Sequence, residues 1–415
     1  MCDCISTHKK RVFPVYLGSH SLSPFHGCYS NSDSILRFAV GRTFLHDNGE
    51  DEAIAYWALR RDAALFDVPE RPVEICGRDA VPFLERLCTR RFANLATGRG
   101  RYALMCTNDG GLFMDGIVLR LAEDKFWFVQ PDGELDAWLL AHRNEYAVRI
   151  SDPSSRVLQL QGPRSLAILR DLSEGAIDHT LPYFGCGFFT LGGQEILVSR
   201  TGWTGELGYE IYTSGPATDC PRLWSDLFRC GEPHGLVFGA MRSMNIRRIE
   251  AGILDSGSDF DVTMSPWDVG LDRFVDGTNE TFIGREAVLA APRGNRLFGL
   301  STPRLTLAAG DRVYSGGKKV AHVTTGARSP HFGAAIGYAR FDSTGDWVGQ
   351  HLVVRSPHGE ESPCEILSLP FYDKAKRLPR EFPPLPETRK TPRKGQIAEV
   401  KDPADRERHH HLTRL

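Results

Sequence analysis

A glycine recurs every third residue through Arg200–Tyr212, RTGWTGELGYEIY, directly after the apolar run Ile196-Leu197-Val198. Gly202, Gly205 and Gly208 punctuate the segment into strand, tight turn, strand, because glycine adopts backbone angles closed to other residues. Glycines there would also let a flat ligand approach the main chain. Beyond the turn, side chains alternate in direction, so Glu210 and Tyr212 share one face while Tyr209 and Ile211 share the other. Glu210 can then point into a cavity, where a fixed carboxylate suits the paired N–H donors of an aminopyrimidine-type edge. Trp203 and Tyr209 are expected to wall a channel around such a ring.

Length sets the scale of the rest. A chain of 415 residues exceeds one ordinary domain, and 41% hydrophobic with 25% charged residues is the balance of a folded protein. A formal net charge of -2 supplies no field for nucleic acid or an anionic membrane, so neither is an expected partner. No apolar run reaches the roughly 18 residues of a membrane span, and the first residues lack the apolar core of a secretory signal. A cytoplasmic protein is expected, its ten dispersed cysteines reduced. Cys2 and Cys4 are the one close pair and have no partner at zinc spacing, so no metal site is expected.

Four regions follow from the patterning. Residues 1–50 read as an irregular N-terminal arm. From Asp51 the chain reads as helical, with Ala55, Leu59, Ala63 and then Leu65–Val68 putting apolar groups on one face before a strand; Val73–Ile75 is the next strand, followed by a helix capped by Asp79 with Phe83, Leu84 and Leu87 buried. Asn108-Asp109-Gly110-Gly111 is a hairpin turn between alternating runs that carry Tyr102 and Asp115. Val157–Asp171 reads as strand then helix, with Gln159 and Gln161 on one strand face. This α+β region ends near residue 290, and six short alternating runs between Leu297 and Leu367 predict a small antiparallel barrel over 291–372. Residues 373–415, rich in charge and proline, read as a mobile polar tail.

Several segments resemble one family. RTGWTGELGYE is similar to RTGYTGEDGxE of the glycine-cleavage T-protein (aminomethyltransferase) family, and ALFDV, LQGP, RIEAG, SPWDVGL, FIGREAVL, TGARSP and PFY resemble further family segments in the same order. The resemblance spans about residues 50–372 and implies two intertwined α+β domains with a C-terminal β-barrel around a folate channel. Tetrahydrofolate is then the expected one-carbon carrier, with Glu210, Trp203, Tyr209 and Gln161 as its contacts and Asp115 and Tyr102 at the point of transfer.

Two departures bear on the reaction. GLFMDGIV at Gly111–Val118 resembles the family's GGxxDDLIV but keeps one acid, Asp115, beside Met114. Met244-Asn245 stands where the family has Arg-Asp, leaving Arg242 or Arg247 to replace a folate-binding arginine. On these grounds the resemblance implies a demethylase branch: a methyltransferase of one-carbon metabolism that takes a methyl group from a small methoxylated, aromatic donor and forms 5-methyltetrahydrofolate by O-demethylation. The alternatives are an S-demethylase of the dimethylsulfoniopropionate type, a glycine-cleavage aminomethyltransferase, and a non-enzymatic folate-binding accessory protein. Proteins of that last kind carry a cysteine that GWTGELGYE lacks. His26 is one candidate proton donor in the arm; the oligomeric state is not encoded in any pattern.

Overall fold

The chain enters one sheet, leaves it to build a second, and then returns. Strand Ala63–Val68 lies in a six-stranded sheet whose order runs Cys186–Leu191, Gln194–Ser199, Gly208–Tyr212, Val157–Gln161, Ala63–Val68, Leu236–Phe238. Between Val68 and Val157 the chain forms a five-stranded sheet ordered Arg99–Cys106, Leu112–Ala122, Lys125–Gln130, Arg71–Cys76, Arg149–Ser151. That excursion makes the two α+β layers intertwined. The computed structural model describes residues 21–383 except 40, 131–134 and 304, and a compact unit ends at Phe382.

Burial explains the central strands. Every residue of Ala63–Val68, Val157–Gln161 and Gly208–Tyr212 is buried, as expected of strands covered on both faces. Helix Glu52–Arg61 starts where Asp51 accepts from Ala53 N, and helix Cys220–Gly231 where Asp219 accepts from Arg222 N at 3.1 Å. Helix Ala80–Leu87 buries Phe83, Leu84 and Leu87 as expected, but Asp79 does not cap it. Its carboxylate instead accepts from Ala147 N at 2.7 Å, tying the helix start to a distant loop.

All six predicted C-terminal runs are strands of a closed antiparallel barrel, ordered Leu297–Thr302, Ala334–Phe341, Lys318–Ser329, Arg312–Ser315, His351–Arg355, Glu361–Leu367. Helix Met241–Glu250 fastens it to the sheets: Tyr338 Oη donates to the Ile249 and Ile253 carbonyls at 3.0 Å, and Phe371 N donates to the Glu250 carbonyl at 3.1 Å.

Both ends of the described chain differ from expectation. The arm holds a hairpin, Ile35–Ala39 with Arg42–Asp47, because Leu36 and Leu45 pack on Ala240. Residues 373–382 also form no loose tail. Asp373 accepts from Arg377 N and Leu378 N, both at 2.9 Å. Arg200 donates to the Pro379 carbonyl at 3.2 Å and the Arg380 carbonyl at 2.7 Å, and its guanidinium stacks 3.9 Å from the Phe382 ring centre. Cys2, Cys4 and the tail beyond 383 lie outside the described residues.

Candidate active site

A cavity of about 1090 Å³ opens where the two sheets, helix Met241–Glu250 and the segment after the barrel meet. Strand alternation aims the first pair of groups into it. Asp115 and Ile117 line the cavity, whereas Met114 and Val118 face the core of the five-stranded sheet. On the neighbouring strand Tyr102 also faces in, and its hydroxyl donates to Asp115 Oδ2 at 2.6 Å. Burial raises the Asp115 carboxyl to about 6 against the hydrogen bond from Tyr102, with the Asp255 charge adding to the rise. Burial and then Asp115 push the Tyr102 hydroxyl far above the usual phenol range, and Arg273 opposes them. The pair therefore holds its protons at neutral pH more firmly than exposed groups would.

A second carboxylate, Glu210, sits in the opposite wall. Gln159 Nε2 donates to its Oε1 at 3.2 Å; its Oε2 accepts from Thr201 Oγ1 at 2.7 Å, from Ser199 Oγ at 3.4 Å and from the Tyr212 hydroxyl. Burial raises the Glu210 carboxyl, and the hydroxyl donors oppose the rise. One oxygen is thus crowded, and the other has a single protein donor and room for a second. Gln159 also donates to Glu70 at 2.7 Å and accepts from Trp203 N at 3.1 Å, so a single amide aligns the carboxylate and the tryptophan loop. Trp203 lines the cavity with the Arg248 guanidinium 5.2 Å from its ring centre.

The remaining expected contacts lie elsewhere. Tyr209 is 0% exposed and packs in the apolar core behind the six-stranded sheet. It occupies the strand face opposite Glu210, so the two cannot both face the cavity. Gln161 is buried under the glycine turn, donating to the Thr201 and Tyr209 carbonyls at 3.3 and 3.4 Å and accepting from Thr204 Oγ1 at 2.7 Å. It braces the turn and does not line the cavity. His26 is likewise away from it, whereas His46 of the arm hairpin lines it.

The arginines separate as clearly. Arg247 is 0% exposed, bonded to Glu206 and Glu250 at 2.6 Å each, and belongs to the framework. Arg242 has a 48% exposed side chain, lines the cavity, and pairs with Asp47 at 2.7 Å and Glu52 at 3.0 Å. Arg248 lines the cavity too, held by Asp259, by Asn245 Oδ1 at 2.8 Å and by Thr325 Oγ1 at 3.0 Å. Tyr183, Thr201 and Lys376 were missed as cavity residues, although Thr201 falls inside the glycine-rich motif that could have pointed to it.

Two interleaved sheets, a terminal barrel and a cavity lined by the carboxylates Asp115, Glu206 and Glu210 give the site the form of an enclosed small-molecule transferase pocket. The family comparison makes that specific. The GCVT N-terminal domain family matches residues 33–279 and the glycine cleavage T-protein C-terminal barrel domain matches 295–373. The chain belongs to the glycine cleavage T-protein family, whose one-carbon carrier is tetrahydrofolate. An aminomethyltransferase of Bacillus pumilus is 32% identical over 330 residues, covering 77% of this chain and 90% of its own length. One of Streptomyces avermitilis is 32% identical over 375 residues, covering 82% and 96%. The crystal structure of glycine cleavage system aminomethyltransferase T from Bartonella henselae shares the fold, with a TM-score of 0.76 over 85% of this chain and 98% of that one at 23% identity.

Proposed function

We propose that the chain moves a one-carbon unit from a small donor onto tetrahydrofolate, with Tyr102 and Asp115 as the proton source for the departing heteroatom. The 2.6 Å hydrogen bond between them, inside the cavity and on groups whose hold on a proton burial strengthens, carries the reading. Glu210 and Trp203 would hold the pterin: Oε1 of Glu210 has acceptor capacity left for ring N–H groups, and Trp203 offers a flat wall. The bound carrier supplies the nucleophilic ring nitrogen. The protein's share is orientation, since reacting atoms must be held about 3 to 3.5 Å apart.

The relatives' names favour an aminomethyl donor, and this is the better supported form of the transfer. One objection to it falls away, because Met114 faces the core and its replacement of an acid takes no carboxylate from the cavity. Methyl transfer from a methoxylated or methylated donor is the second form. It is favoured by Met244-Asn245, which puts a thioether and a neutral amide at the cavity wall where the family resemblance has charge. Incubation with tetrahydrofolate and either an aminomethylated lipoyl partner or a panel of methoxybenzoates, dimethylsulfoniopropionate and methylated glycines separates them. Ammonia and methylenetetrahydrofolate mark the first, 5-methyltetrahydrofolate the second, and failure of all donors despite tetrahydrofolate binding would refute transferase activity of either form.

A further inference from the structure

We propose that Arg273, Lys376 and Arg380 form a carboxylate-binding subsite at the rim of the cavity, and that the one-carbon donor is a small acid anchored there by its carboxylate. The inference rests on the transferase reading above and adds the class of donor.

Arg242 and Arg248 are ion-paired, to Asp47 and Glu52 and to Asp259. Among the described residues Arg273, Lys376 and Arg380 have no ion pair. Arg37 and Arg328 also line the cavity without an ion pair among the described residues, but Arg273, Lys376 and Arg380 are distinguished by grouping, since the charges of Arg273 and Arg380 both reach Lys376. Lys376 donates to the Ala251 carbonyl, Arg380 donates to the Ala375 carbonyl at 3.3 Å, and Arg273 rests on the Phe274 ring at 4.7 Å. The acid whose field reaches Lys376, Asp373, is turned onto the backbone N–H groups of Arg377 and Leu378. Burial first, and the Arg273 charge second, pull the Lys376 ammonium down to about 8. Like charges crowded without a counter-ion are costly, and an anionic ligand between them relieves that cost.

Position supports the assignment to the donor. Phe274 carries Arg273 on its ring and packs against Tyr102, ring centres 4.6 Å apart. Arg380 stands 5.9 Å from the Tyr183 ring, which lines the same cavity. A donor anchored on these cations thus lies beside the Tyr102–Asp115 proton source. Guanidinium and ammonium groups recognise carboxylates through charge-assisted hydrogen bonds. The same cluster repels an ammonium group and so speaks for the second form of transfer, from a methylated acid, where the relatives' names speak for an aminomethyl donor. The glutamate carboxylates of tetrahydrofolate share this chemistry and are separated by the test.

Calorimetry on the full chain preloaded with tetrahydrofolate would compare benzoate and propionate with benzamide and propionamide. At least one acid should bind about tenfold tighter than its amide, the difference expected of hydrogen bonds to charged groups. Arg273→Gln and Lys376→Gln should abolish that preference while leaving tetrahydrofolate affinity within about twofold. Equal binding of acid and amide, or no binding of any of the four, overturns the subsite. If the variants weaken tetrahydrofolate but not tetrahydropteroate, the cluster holds the carrier's tail and the donor assignment is overturned. Product assays keep the two readings apart: acid binding without any one-carbon product leaves the subsite standing and removes the transferase reading, whereas equal turnover of acids and amides does the reverse.

Discussion

The Tyr102 hydroxyl donates to Asp115 Oδ2 across 2.6 Å, and both side chains face the same cavity from adjacent strands. Asp115→Asn keeps the shape of this contact and removes the titrating proton. Turnover should fall by about 10² to 10⁴-fold, the range for losing a general acid or base, with tetrahydrofolate affinity retained. Loss of carrier binding in parallel with turnover would instead mark Asp115 as a binding residue.

The same carboxyl has a pH signature in stability. Burial raises it to about 6 in the fold, above its usual range, so its contribution is fully present below the unfolded value and is lost as pH rises through about 6. Asp115→Asn escapes that loss. The variant should melt at or above the parent's temperature at about pH 7.5, and its relative advantage should shrink towards about pH 4. Calorimetric melting across that window checks the sign.

Glu210 is saturated on one oxygen, so its removal has two consequences. Glu210→Ala takes the acceptor from the Tyr212 hydroxyl and from the Ser199–Thr201 hydroxyl pair, a donor left unpaired costing about 1–3 kcal/mol, while Gln159 keeps Glu70; it lowers stability as well as carrier affinity. Glu210→Gln fills the same space with fewer losses. It should fold near normally yet bind tetrahydrofolate at least about tenfold more weakly, since an amide presents one acceptor where the carboxylate presents two. Unchanged affinity in Glu210→Gln would sink the pterin assignment.

The two arginines left open by the sequence should now behave differently. Arg247→Met removes the cation between Glu206 and Glu250 in a fully buried network and should cost about 3–5 kcal/mol. Arg242→Ala breaks half-exposed pairs with Asp47 and Glu52 and should cost no more than about 1 kcal/mol. Only Arg242 lines the cavity, so it alone should change tetrahydrofolate affinity without changing stability. Urea unfolding and carrier titration of both variants read the contrast.

Periodicity made local features legible and left their pairing hidden. Each barrel strand was readable because alternation and turn glycines are properties of a few neighbouring residues. That Ala63–Val68 pairs with Val157–Gln161 was not, since some ninety residues of another sheet separate them and no local pattern records a partner at that distance. At the site, alternation put Glu210 and Tyr209 on opposite faces and so contained the evidence against Tyr209 as a wall. Lys376 and Arg380 read as solvated tail because composition cannot register the clasp of Arg200 on the carbonyls of Pro379 and Arg380.

The glycines that opened the sequence reading have a different cause from the one first assigned, and that cause is measurable. Gly205 alone of the three needs a left-handed backbone, at φ +70°. At Gly202 and Gly208 an added Cβ would meet the Gln161 amide at 2.2 Å. That amide cannot swing away without giving up its bonds to Thr201, Thr204 and Tyr209. Gly208→Ala should therefore cost about 1–3 kcal/mol as an overpacked site. In a Gln161→Ala background the collision is gone, and the same change should cost clearly less, giving a coupling of about 0.5–3 kcal/mol. Additive losses would mean that Gly208 is required for the approach of a ligand or for the backbone, and that Gln161 is a bystander.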